Sequence, residues 1–507
     1  WPCYSRHRIS AVVANCPVTD LVYHYSERPD LPRTLDCAYE YADDLAEEIR
    51  RRSPFHQIGR MPDIPYTILH GTKDDRVSKR YHSDRFVAAM RQAGRTVAYE
   101  ASEGMGHVKL TPHTQKVFDK AILAPFEKTD ANASLRPVKI VSPPPAKYRD
   151  PANIHYQTGP SIAVAPNGRI WVAIMTGGNW ECTDNYVDLL TSGDGGETWS
   201  EPKLALDIAG PLRTFDPAMW TDFEGRVWLF WCQVYDFWDG RGGLWASVCE
   251  RPGEENAEWS VPRRLCDGVM KNKPLVLKNG DVWLCVEQWR DDCQAWFWER
   301  LNAQPSLPTW YHADTSPKGA NVYRSTDSGM TWNWFSTVPV PDDLRTCDEH
   351  MAVEQADGTF RMLLRVKTGL AESRSADGGR SWSVATPGAI KNPPGRFFFG
   401  RLRSGNILFV KNGPLDIQTD RRDLMAFLSE DDGRTFPHRL ELDMRTKVSY
   451  PDVAEGDDGR LYCVHDYDRE GAGEIVLDVF TEDDVRAGRL VSPRSRLHRI
   501  VRKNAGK

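Results

Sequence analysis

Hydrophobic and polar positions follow two different rhythms along this chain. In the first 126 residues, short apolar runs alternate with stretches of helical period. ISAVVANCPV (9–18), IPYTILHG (64–71) and TVAYEASEGMGH (96–107) predict strands. YADDLAEEIRRR (41–52) and SKRYHSDRFVAAMRQAG (78–94) predict helices, the second capped by Ser78 and stopped by Gly94. Strands alternating with helices imply a parallel sheet, with functional residues at the C-terminal ends of its strands.

From residue 151 to 490 the rhythm is strand, tight turn, strand. The turn occurs six times, as Asn167-Gly168, Glu224-Gly225, Asn279-Gly280, Asp357-Gly358, Ser404-Gly405 and Asp458-Gly459, each followed by an apolar-aromatic run. Their glycines are spaced by 57, 55, 78, 47 and 54 residues. A four-stranded propeller blade needs ~40–50 residues plus insertions, so six such units imply a six-bladed β-propeller. The widest interval implies an insertion at roughly residues 290–318.

A second motif runs in step with the first. SGDGGETW (192–199), STDSGMTW (325–332), SADGGRSW (375–382) and SEDDGRTF (429–436) fit S-x-D-x-G-x-[ST]-[WF]. The aspartate caps a turn, the glycine takes positive φ, and the aromatic fills the gap between blades. Asp194, Asp327, Asp377 and Asp431 are therefore structural, not catalytic. Between the two regions lies EKTDANASLRPVKIVSPPPAKYRDPAN (127–153), with three consecutive prolines, which reads as an extended linker over 127–150. Tryptophan marks the same boundary: of the 18, one is Trp1 and the other 17 lie between Trp171 and Trp382. The basic tail 491–507 reads as a solvated terminus.

Composition narrows the function classes. With 507 residues, 40% hydrophobic, 27% charged and a net charge of −6, the chain is a multidomain globular protein and not a basic nucleic-acid binder. No apolar stretch is long enough to span a membrane. The 11 cysteines are an odd number without a CxxC pair, which argues against a zinc ribbon or a disulfide scaffold.

The four boxes resemble the Asp-box repeats of the sialidase (neuraminidase) superfamily of six-bladed propellers. The family reaction uses arginines to hold a sugar carboxylate, a tyrosine nucleophile with a glutamate to take its proton, and an acid for the leaving oxygen. DEHMAVEQADGTFRMLLR (348–365) resembles the family segment that supplies the glutamate and an arginine, which implies Glu349 and Arg365. RRDLMAFLSEDDG (421–433) resembles the arginine strand before the last box, implying Arg421, with Arg422 adjacent. SYPDVAEGDDGRLYCV (449–464) resembles the nucleophile strand, implying Tyr450, with Pro451 where the family has serine. The family's first-blade arginine is missing: QTGPS (157–161) stands there, leaving Arg396, Arg401 or Arg403 as substitutes. For the acid, Asp184, the neighbouring Glu181, and Asp216 in TFDPAMW (214–220) are candidates.

The first 126 residues resemble the C-terminal half of a prolyl-oligopeptidase-type α/β-hydrolase domain. HGTKDDRV (70–77) implies Asp74, with Asp75 as competitor, and GMGH (104–107) implies His107 as its partner. The G-x-S-x-G nucleophile turn, which precedes both in this fold, does not occur in the sequence, so this domain is expected to be truncated and inactive. The resemblances together imply a partial α/β-hydrolase domain followed by an all-β propeller. The implied activity is removal of a terminal acidic sugar from a glycan, without metal or organic cofactor. A non-catalytic carbohydrate-binding propeller and a peptidase or esterase activity of the first domain are the alternatives. By analogy with propeller glycosidases, the implied compartment is secreted or periplasmic.

Overall fold

The computed structural model describes residues 11–28, 42–62, 64–127, 133–150, 154–182, 184–207, 212–235, 238–239, 242–289, 317 and 319–504. It divides into two compact units, Trp1–Asp130 and Ala131–Lys507. The expected insertion at 290–318 lies almost wholly outside the described residues. Among the described residues, no helix is long and apolar enough to cross a membrane.

In the first unit, Val12–Asn15, Tyr66–Gly71 and Val97–Ser102 form a parallel three-stranded sheet, with Tyr66–Gly71 in the centre. Ile68, Leu69, Phe86 and Met90 are its buried core. The helix Leu45–Arg52 starts at Asp44, whose side chain accepts from the Glu47 N–H at 3.0 Å. The second helix differs from expectation. Ser78 gives no side-chain cap; a wide turn over Arg80–Asp84 leads into Arg85–Gln92. Gly94 ends it at φ 73°, as its position predicted.

The second unit is a six-bladed β-propeller of six antiparallel four-stranded sheets, each built from consecutive strands. The x-Gly turn joins the first two strands of every blade, and all six turn glycines have φ between 76° and 92°. The first strands line the axis: Gln157–Val164, Leu212–Thr221, Leu275–Val276, Arg345–Glu354, Phe398–Arg401 and Val448–Glu455. Their side chains cross-link blades there. Ser161 donates to Asp452 at 2.5 Å, Lys273 pairs with Asp452 at 2.8 Å, and Arg396 donates to Pro160 O at 3.0 Å.

Four box turns bind their own aspartates, as the motif predicted. Asp327, Asp377 and Asp431 each accept from the box serine at 2.8 Å and from the box Thr or Ser at 2.6 Å. Those hydroxyls pull the three carboxyls down to about 2. Large aromatics fill the seams between blades. Trp283 of the third blade stacks on Phe360 of the fourth at 4.5 Å, next to the box Trp382.

Two boundary expectations are corrected. The segment read as an extended linker is packed from residue 133 onward: Val138 is buried in the first two blades' core, Val141 pairs with Ala205, and Ala146–Arg149 is a short helix. Single apolar residues anchor it, too sparse for a periodic signal. The tail read as a solvated terminus forms the outermost strand of the last blade, Arg496–Lys503, paired with Glu474–Phe480. Its arginines face acidic partners: Arg502 pairs with Asp188 and Arg499 with Glu197, which ties the last blade to the first.

Candidate active site

One position in each blade places chemistry on the axis. Nine residues before the turn glycine stand Gly159, Asp216, Lys271, Glu349, Arg396 and Tyr450. At Gly159, Asp216, Glu349 and Tyr450 the ladder register shifts and φ is 55°, 48°, 40° and 56°. A bulge there turns the side chain out of the sheet's alternation and toward the axis. Proline follows at Pro160, Pro217 and Pro451, where it removes an N–H from the ladder. Three non-glycine residues in left-handed backbone cost about 1–3 kcal/mol each, which the surrounding sheet must hold.

Four side chains from three blades meet at Tyr450. Its hydroxyl donates to Glu349 Oε1 at 3.3 Å and accepts from Arg365 Nη1 at 3.1 Å, while the same Nη1 donates to Glu349 Oε1 at 2.6 Å. The Arg421 guanidinium stands 5.0 Å from the centre of the Tyr450 ring. Arg421 Nη2 donates to Pro394 O at 2.9 Å, which fixes its approach.

The structure adds three cations that the motifs did not supply. Lys271 Nζ lies 3.1 Å from Glu349 Oε1, 3.2 Å from Asp216 Oδ1 and 5.0 Å from the Tyr450 ring centre. The Arg469 guanidinium is 4.7 Å from that ring centre and donates to Ser449 Oγ at 2.8 Å. Arg213 is buried over Phe215 at 4.1 Å, close in charge to Glu181 and Asp216. Burial resists ionisation of Glu349, but Arg365 and Lys271 outweigh it and hold the carboxyl at about 2. Burial pushes the Asp216 carboxyl up, with Lys271 opposing. Glu349 Oε2, Asp216 Oδ2 and Arg365 Nε are buried without a hydrogen-bond partner among the described residues. Such atoms are costly unless a polar ligand completes them.

The candidates from sequence fare differently. Tyr450, Glu349, Arg365 and Arg421 converge; Arg422 is exposed and pairs with its neighbour Asp423. Asp216 joins them through Lys271. Asp184 is exposed, and Glu181 is the loop carboxylate that reaches inward, accepting from the Tyr156 hydroxyl at 3.4 Å and lying 3.9 Å from Arg469. None of the three substitute arginines stands beside Tyr450. Arg396 is spent on Asp452, Pro160 and Asn272; Arg401 pairs with Asp432; Arg403 is exposed with Asp457. Counting nine back from each turn glycine would have selected Lys271 and Asp216. Arg469, on the loop after Leu461–Tyr467, carries no such mark.

In the first unit, His107 Nδ1 lies 2.9 Å from Asp74 Oδ2, as expected for an oriented histidine. Burial opposes the Asp74 charge, but the Val77 N–H, His107 and the Arg76 N–H hold its carboxyl at about 2. Among the described residues, no serine hydroxyl hydrogen-bonds His107; Ser161 bonds Asp452 in the propeller instead.

Six four-stranded blades, box turns on four of them and a charged cluster on the axis define an Asp-box β-propeller. The family of BNR repeat-like domains matches residues 209–463, half of the sequence, and the chain belongs to it. The prolyl oligopeptidase family matches residues 6–130. No curated protein matches the chain. Among solved structures, it resembles a protein of unknown function from Dyadobacter fermentans at 16% identity and TM-score 0.49, covering 68% of this chain and 98% of that one. The NanB sialidase of Streptococcus pneumoniae is similar at 14% identity and TM-score 0.46, with 67% and 70% covered. An α-L-arabinanase of Penicillium chrysogenum is similar at 13% identity and TM-score 0.44, with 69% and 99% covered.

Proposed function

We propose that the propeller is a sialidase-like exo-glycoside hydrolase that removes a terminal acidic sugar from a glycan. One observation carries this reading: the Tyr450 hydroxyl lies between Glu349 and Arg365, with Arg421 and Arg469 flanking the ring. A neutral phenol is a suitable nucleophile when the sugar itself bears a carboxylate near the reacting carbon, because a carboxylate nucleophile would be repelled. Arg365, Arg421 and Arg469 hold the sugar's carboxylate. Tyr450 Oη attacks the anomeric carbon while Glu349 takes its proton. Asp216 protonates the departing oxygen. Water then attacks the tyrosyl-linked sugar, giving its proton to Asp216, and Glu349 returns a proton to Tyr450.

The test is hydrolysis of an array of glycans ending in sialic, other 2-keto or uronic acids, with Tyr450→Phe as control. Release of an acidic sugar that the variant fails to release supports the reading. Binding to the same glycans without release would make the propeller a carbohydrate-binding module.

A further inference from the structure

Lys271 has no part in the reaction as written above, yet it is the cation that touches both carboxylates. It occupies the third blade's axial position, where other blades carry Asp216, Glu349 and Tyr450. Its Nζ is nearly equidistant from Asp216 Oδ1 and Glu349 Oε1, at 3.2 and 3.1 Å, so the two oxygens are no more than 6.3 Å apart. Its side chain is 11% exposed. Two residues further on, Lys273 does the structural work of the axis, bound to Asp452 and to the carbonyls of Ile162 and Met219. Among the described residues, the ion pairs of Lys271 are those with the two site carboxylates.

We propose that Lys271 is a positioning residue, a fixed counter-ion shared by the acid Asp216 and the base Glu349. The inference rests on the roles proposed above for those two and for Tyr450. In the first half-reaction the Tyr450 Oη–carbon bond forms and the glycosidic C–O bond breaks. The Tyr450 proton goes to Glu349, and the Asp216 proton goes to the departing oxygen. One negative charge therefore disappears at Glu349 and one appears at Asp216. The second half-reaction reverses both transfers. An ammonium already within 3.2 Å of each carboxylate serves both states without moving. The alternative, a charge created in a buried site without a counter-ion, is costly.

The charges around Lys271 fit this role. Burial opposes its ammonium, but Asp216, Tyr450, Glu349 and Glu181 hold it protonated. Glu287, on its own blade, is buried, and burial together with Glu349 and Asp348 pushes its carboxyl well above the usual range. Arg365 and Arg421 act on Glu349, and Arg213 on Asp216, as further cations. Glu349 is held low and Asp216 is pushed up, so the two carboxyls are displaced in opposite directions, the sense that a base and an acid of the first half-reaction need.

The experiment is the pH profile of kcat/KM on the acidic glycan identified by the array, for the wild type, Lys271→Met, Lys271→Gln and Lys271→Arg. Thermal melting first shows which variants fold. The neutral variants should lose roughly 10²-fold in kcat/KM. Both limbs of their profile should move to higher pH by about one unit or more, because removing a cation makes both carboxyls easier to protonate. Lys271→Arg should restore the limbs. A folded neutral variant with unmoved limbs overturns the proposal, whatever its rate, and so does failure of both neutral variants to fold. If the wild type itself cleaves no acidic glycan, it is the proposed function that falls.

Discussion

Tyr450 donates its hydroxyl to Glu349 Oε1 at 3.3 Å across 101 positions of sequence. Both residues lie within an axial strand, both sit in a bulge, and both have left-handed backbone. Core packing alone does not require a phenol, a carboxylate and a guanidinium to meet there. Bulges at equivalent points of different blades turn dispersed residues into neighbours.

Tyr450→Phe removes the nucleophile and keeps the ring that packs among Lys271, Arg421 and Arg469. Turnover of the acidic glycan should be abolished, with the melting temperature unchanged within a few degrees. A variant that keeps full activity would exclude the tyrosine mechanism.

Arg421 reaches the Tyr450 ring but not its hydroxyl or Glu349, which are bonded to Arg365. Arg421→Ala should therefore act mainly on binding, raising KM roughly 10-fold or more with a smaller effect on kcat. Steady-state kinetics on the same glycan would read the split.

His465 lies buried between the last two blades, 3.1 Å from Asp478 and 3.9 Å from Asp443. Burial works against its charged form, but the Asp478 bond and both carboxylates raise its pKa above the ordinary 6.5. A raised histidine contributes stability that is fully present below its unfolded pKa. That contribution is lost as pH rises through the higher folded value. Melting temperature should accordingly fall as pH rises above about 6.5. His465→Gln should flatten that slope, while an equal slope in the variant would assign the effect elsewhere.

Gly379 of the third box motif has φ 81°, and a Cβ placed there would lie 2.1 Å from the Trp283 ring of the preceding blade. Gly379→Ala should destabilise the propeller by about 2 kcal/mol or more, from backbone strain and overpacking together. Turnover per folded molecule should stay the same, because the box turn is remote in role from the axial cluster. Denaturant unfolding would measure the first effect, and active-site titration the second.

Sequence alone determined the blade count and the box turns, and it named Tyr450, Glu349, Arg365, Arg421 and Asp216 among the candidates that lie together in the structure. Turn glycines and box serines act through backbone rules that hold within a few residues, so Gly168 or Asp377 could be read in place. Strict repetition then fixed the blades, and a family resemblance pointed to Tyr450, Glu349, Arg365 and Arg421. The tertiary structure decided the rest. Arg469 stands beside Tyr450 because Ser449 anchors a loop of the last blade, whereas Arg396 is drawn off by Asp452 and Pro160. Glu181 faces inward and Asp184 outward on one loop. The basic tail became a strand because Arg502 and Arg499 find Asp188 and Glu197 on the first blade. The two tail contacts depend on which opposite charge lies across a blade seam, more than 300 residues away, and no local pattern encodes that distance.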